Sequence, residues 1–263
     1  MKRIYLTALL FTGLTSCAPY KMAVSDELKS SHDEYAVQGR QGILIKEKLN
    51  FGEYSTTKVK RSWTKGSSSR YGIGWGGTAQ EEWVNIISTE YINRKQTVNF
   101  SLSDGKNFSE VFCASRFNSK DLQIGKKETS ILNIGMDIAG IGGRSSSLYY
   151  VQIFTNDDES PWQLILDNQA AQAKAKTYIG VLATSKTEYY TLVPVTKLEK
   201  NGKTGNILGG SVGFEFQNEQ GTAIAAVSLM DKGMVFLGKT SREERFLLAN
   251  ACAALLLQQQ IDE

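Results

Sequence analysis

Histidine is nearly missing from this chain of 263 residues: His32 stands alone, in a polar N-terminal stretch. The sequence therefore argues against a Ser-His-Asp or Cys-His nucleophile, a histidine zinc site and an imidazole-ligated haem or iron. Cysteine is scarce too, limited to Cys17, Cys113 and Cys252, and proline occurs three times. With so few breaks, and no Pro/Ser-rich stretch after residue 40, the chain reads as one domain. No charge of either sign dominates, because 30 basic residues face 27 acidic ones. A nucleic-acid partner is not implied, since there is no global positive field to attract one. Nor does any apolar run reach the roughly 20 residues that a spanning helix requires.

What is present begins at the N terminus. Lys2 and Arg3 precede a short apolar run from Ile4 to Leu14, and Leu14-Thr15-Ser16-Cys17 follows. A basic start, a short apolar core and small residues before a cut distinguish a secretory signal from a membrane span. The order of Leu14 to Cys17 resembles the lipobox of bacterial lipoproteins, which implies cleavage after residue 16 and acylation of Cys17. Ala18, where an inner-membrane retention signal carries Asp, implies the outer membrane as the address. Cleavage removes Lys2 and Arg3 and leaves 28 basic against 27 acidic residues. Residues 17–40 then read as the acylated cysteine with a flexible tether, and 41–263 as the folded domain.

From Gly42 to Lys239 the chain offers thirteen candidate strands rich in Val, Ile, Thr and aromatics. Among them are Thr57 to Trp63, Glu82 to Tyr91, Ser130 to Ile138, Leu148 to Thr155 and Trp162 to Asp167. Ser103-Asp104-Gly105, Asn201-Gly202 and Asn218 to Gly221 supply the positive-φ positions of tight hairpins, which favours antiparallel pairing. The expected fold is mainly β: an antiparallel barrel of about 12 strands, with a β-sandwich as the alternative.

The end of the chain breaks this pattern. Ser241-Arg242-Glu243-Glu244 has capping-box spacing and predicts a helix over 241–260. From Phe246 to Leu257 every residue but Asn250 is apolar, and a helix apolar all round is one buried all round. Strands from Gly213 to Lys239 followed by this small-residue-rich helix, ending at Leu257, resemble the tubby-like fold, which threads its last helix through a barrel. The resemblance implies architecture; no lipid-binding residue of that family is carried over.

Several constellations invite chemistry. Gly72-Ile73-Gly74-Trp75-Gly76-Gly77 matches Gly-x-Gly-x-x-Gly but sits among hairpins, without the crossover unit that a dinucleotide site needs. Asp157-Asp158-Glu159 lacks the alternating spacing of a calcium loop and reads as a solvated turn. Lys46, Lys48, Lys58, Lys60 and Arg61 form a basic cluster, with Lys46/Lys48 and Lys58/Lys60 each on one strand face, suited to anionic lipid headgroups. Cys113 and Cys252 admit one disulfide outside the cytoplasm, although apolar neighbours favour two buried thiols. No metal or cofactor is implied. The expected function is a non-catalytic binding or structural lipoprotein of the envelope, its partners the membrane through the anchor and an anionic lipid or envelope protein. A carboxylate-dependent hydrolase of envelope polysaccharide and an accessory subunit of an envelope complex are the alternatives.

Overall fold

The computed structural model describes residues 19–41, 44–57, 59–62, 97–117, 148–156 and 160–258. Lys21–Met22 forms β1 and Asp26–Lys29 a single helical turn, α1. His32–Ala36, Gln38–Gln41, Leu44–Phe51, Tyr54–Thr56 and Lys60–Ser62 are β2 to β6. Thr97–Ser103, Phe108–Phe117, Leu148–Thr155 and Trp162–Asp167 are β7 to β10, and Asn168–Ala173 is α2. Gly180–Ala183, Tyr189–Val195, Lys197–Lys200 and Lys203–Asn206 are β11 to β14. Gly213–Gln217, Ala223–Ser228 and Met234–Gly238 are β15 to β17, and Arg242–Leu257 is α3. The expected strands Glu82 to Tyr91 and Ser130 to Ile138, the Gly72 to Gly77 loop and Asp157 to Glu159 lie outside the described residues.

Thirteen strands pair antiparallel in the order β2-β17-β16-β15-β12-β11-β10-β9-β8-β7-β5-β4-β3, with β6 also on β7. The two ends of this path are consecutive in the chain. Only Val37 separates β2 from β3, and its N–H donates to the Gly233 carbonyl, extending the β2–β17 ladder. One bent segment thus pairs with β17 on one side and β4 on the other, and the sheet becomes a nearly closed barrel. Gly39 makes the bend possible: its φ is +88°, and a Cβ there would fall 1.8 Å from the Lys48 carbonyl oxygen. The register shifts at this point, between Gln38 and Arg40. Asn201 and Gly202, both at positive φ, make the expected turn between β13 and β14.

Strand alternation sends Val151, Ile153, Leu164 and Leu182 inward to a core shared with α3. From Phe246 to Leu257 no residue of the helix is more than 4% exposed. Its hydrogen bonds reach opposite walls. On one side Ser109 donates to Asn250 Oδ1 at 2.5 Å and the Tyr149 hydroxyl to the Ala254 carbonyl at 2.7 Å. On the other, the Cys252 thiol points at the Ala226 carbonyl, 3.9 Å away. The strands involved, β8 and β9 against β16, lie across the ring from each other, so α3 runs through the interior. Ser241 caps its start, accepting the Glu244 N–H as the capping box requires.

The tether is shorter than the sequence suggests. Within the expected tether, residues 17–40, positions 21–40 carry β1, α1, β2 and most of β3, and Met22, Val24 and Leu28 pack with Ala226 and Phe236 on the outer barrel wall. Buried Glu215 fixes the segment further, accepting the Ser25 N–H at 2.6 Å. Three apolar residues, in a short strand, just beyond it and in a single turn, carry no period that a sequence reading detects. His32, placed in the tether by sequence, is part of β2 and hydrogen-bonds through Nδ1 to the Leu28 carbonyl.

Two expected outcomes follow from this packing. Leu28, 1% exposed, should cost about 2–4 kcal/mol when changed to Ala, read from urea unfolding, whereas a residue in a loose tether would cost almost nothing. Leu248→Asp, Leu255→Asp and Ala253→Asp each place a charge without a partner inside the barrel, at a cost comparable to the stability of a whole domain. Thermal melts should show no cooperative transition for any of the three; a near-wild-type melt for Ala253→Asp would contradict a helix enclosed on every side.

Candidate functional site

Cys17 precedes the described residues, and the chain comes into view at Pro19. It joins the fold at β1, which pairs with β13 through Lys21–Glu199 and Met22–Leu198. With β14 these make a separate three-stranded sheet. The predicted lipidation site therefore lies four positions before a strand held in regular pairing. Beside that strand, the Lys200 Nζ stands 4.6 Å from the centre of the Tyr20 ring.

The basic cluster does not gather as one outward face. Lys46 and Lys48 are on β4, and the Lys48 side chain is exposed. Lys58 lies outside the described residues. Lys60 is exposed on β6, close enough to Glu110 to lower that carboxyl, although burial dominates and raises it above the ordinary glutamate range. Arg61 turns the other way: its Nη1 donates to the carbonyl of Leu257, the last residue of α3, at 3.2 Å. This corrects its assignment as a surface contact. A guanidinium at a helix C terminus meets the negative end of the helix dipole and an unsatisfied carbonyl, so the interior offers Arg61 a role that the surface does not. The same alternation that aims Val59 inward sends Arg61 with it, and that was the signal available in the sequence.

Beside the Arg61 guanidinium the interior holds Cys113 and Tyr149 in neutral form. Cys113 and Cys252 are both free and buried, so the disulfide option is not realised. Burial pushes the Cys113 thiol up to about 12, partly offset by its hydrogen bond to Tyr149 and by the charge of Arg61. Burial likewise raises Cys252 and Tyr149 far from neutrality. Since the thiolate is the nucleophilic form, these thiols are packing groups. Among the described residues, no group of three or more His, Cys, Asp and Glu side chains could hold a metal ion.

At the opposite end of α3, charged side chains bind the first turn to three separate parts of the wall. Arg242 pairs with Asp104 of the β7–β8 hairpin at 3.2 Å. The Tyr190 hydroxyl of β12 donates to Glu244 at 2.8 Å. Arg245 reaches Asp33 at 2.8 Å, the Tyr35 hydroxyl at 3.0 Å and the Gly238 carbonyl at 2.9 Å. Sequence reasoning found the cap at Ser241 but not the side-chain partners, which lie from 54 to 212 positions away. The remaining buried carboxylates are also engaged in structure. Asp167 caps α2 through the Ala170 N–H, and Glu215 holds Ser25, its carboxyl raised chiefly by burial.

Asp104 provides the pH test of this rim. Burial raises its carboxyl, but N–H groups of Asn107 and Lys106 and the Arg242 guanidinium outweigh it and hold the group below the ordinary aspartate value. A depressed carboxyl contributes stability that is present above its unfolded value of about 3.9 and lost as the pH falls through the folded one. Asp104→Asn should therefore lower the melting temperature at pH 7, and the gap to wild type should close below about pH 4. A gap that stays constant across a pH series of melts would separate Asp104 from the rim.

Comparison of the chain with protein-family models, with curated proteins and with solved structures finds no match.

Proposed function

We propose that this protein is a lipid-anchored module of the bacterial envelope, held on the outer membrane by acylated Cys17 and acting through its surface as a non-catalytic binding or structural body. The observation that carries this is the occupation of the barrel by α3. Among the described residues the interior is occupied by α3, which points to the outer surface as the part that meets partners. A glycosidase needs two carboxylates facing across an open cleft about 5–9.5 Å apart. The buried carboxylates described here are taken up instead by a helix cap, a backbone N–H and an arginine. The helix-filled barrel is also the architecture that the tubby-like resemblance implies.

Cys17→Ala tests the anchor. After metabolic labelling with a fatty acid, the wild-type chain should carry label and fractionate with membranes. The variant should lose the label and accumulate either uncleaved or in the soluble fraction; undiminished labelling of the variant would refute the reading.

A further inference from the structure

We propose that the β13–β14 hairpin is the part of this protein that lies on the bilayer, binding anionic phospholipid headgroups through Lys200 and its cross-strand partner Lys203, which share one face. The inference takes the acylation of Cys17 as its starting point and adds which face of the domain the anchor draws down. Four Cα steps separate Cys17 from Lys21, and at 3.80 Å each they span no more than about 15 Å. Lys21 itself is fixed opposite Glu199 in the ladder, and the Ala23 N–H donates to the Lys197 carbonyl at 3.0 Å. Traced backwards from Met22, the antiparallel β1 runs towards the turn at Asn201 and Gly202. The membrane that holds Cys17 therefore lies beside this hairpin.

The hairpin is built for such a neighbour. β14 is the edge of its sheet, and all four of its residues are exposed. Just beyond it Leu208 is fully exposed, more so than any other large apolar side chain among the described residues. Three lysines stand against a single carboxylate in the hairpin, and that one, Glu199, is already paired with Lys29. Glu34, near β1, is paired with Lys21 at 3.2 Å. The charge left over is positive. Tyr20, with its ring beside Lys200, has the apolar body and polar tip favoured at a membrane interface. The cluster from Lys46 to Arg61 is the poorer candidate, because Arg61 is committed to α3 and Lys60 has Glu110 close by.

The test uses the mature chain, residues 17–263 with Cys17→Ala, so that no acyl chain contributes to binding. It is sedimented with vesicles of phosphatidylcholine alone or with one-third phosphatidylglycerol. Each lysine near an anionic surface is worth about fivefold in partitioning. Lys200→Gln/Lys203→Gln should therefore reduce binding to the anionic vesicles at least tenfold while keeping the wild-type melt. Leu208→Asp should weaken it further, and Lys48→Gln/Lys60→Gln should leave it unchanged. Equal binding to both vesicle types would overturn the proposal, as would a loss confined to the Lys48/Lys60 variant. Capture by envelope vesicles but not by protein-free ones would assign the face to a protein partner instead. Because acylation is read separately by fatty-acid labelling, failure of the anchor and failure of the hairpin give different results.

Discussion

The mutual burial of α3 and the inner barrel wall is the constraint on which the rest of the structure depends. A nearly closed ring of thirteen strands has an interior that must be filled, and a helix apolar on every side has to be enclosed. Each solves the other's problem. The small residues Ala249, Ala251, Ala253 and Ala254 let the helix backbone come close to the strands, while Phe246 and the leucines fill the wider gaps. The one polar side chain of its stretch Phe246–Leu257, Asn250, is satisfied twice, by Ser109 and by the Phe246 carbonyl. A buried amide with both ends bonded costs little, and it also fixes the helix against sliding along the axis.

The two ends of the helix are held by different physics. At its start, salt bridges and a tyrosine hydroxyl tie the first turn to three sectors of the rim. At its end, Arg61 meets the carbonyl of Leu257, which has no partner within the helix, and the negative end of the dipole. Those contacts commit Arg61, Asp104, Arg242, Glu244 and Arg245 to holding the helix in place.

The terminal helix was legible in the sequence because capping and composition are local: Ser241 through Glu244 and the run to Leu257 sit within a few turns. Leu148–Thr155 and Trp162–Asp167 were legible as strands for the same reason. Residues 21–41 were not, since β2 and β3 acquire their identity from partners near residues 233 and 50, far along the chain. Arg61 was misplaced when its charge was grouped with the lysines and its position in the strand alternation was ignored. The partners of Asp104 and Arg245 needed the folded ring to bring them together, and no spacing rule reaches across it.

The seam at Val37 sets an order of events. The segment that closes the ring, His32–Gln41, is made well before β17, which it must join, and α3, which must fill the interior. Until β17 and α3 are present the wall has an open edge and an empty centre, both exposing apolar surface. Contacts between such distant parts of a chain form slowly, because the loop must close before any pairing rewards it. The barrel is therefore a structure that cannot be completed piecemeal as the chain emerges. A protein built this way closes its wall only once both distant ends of the seam have been made.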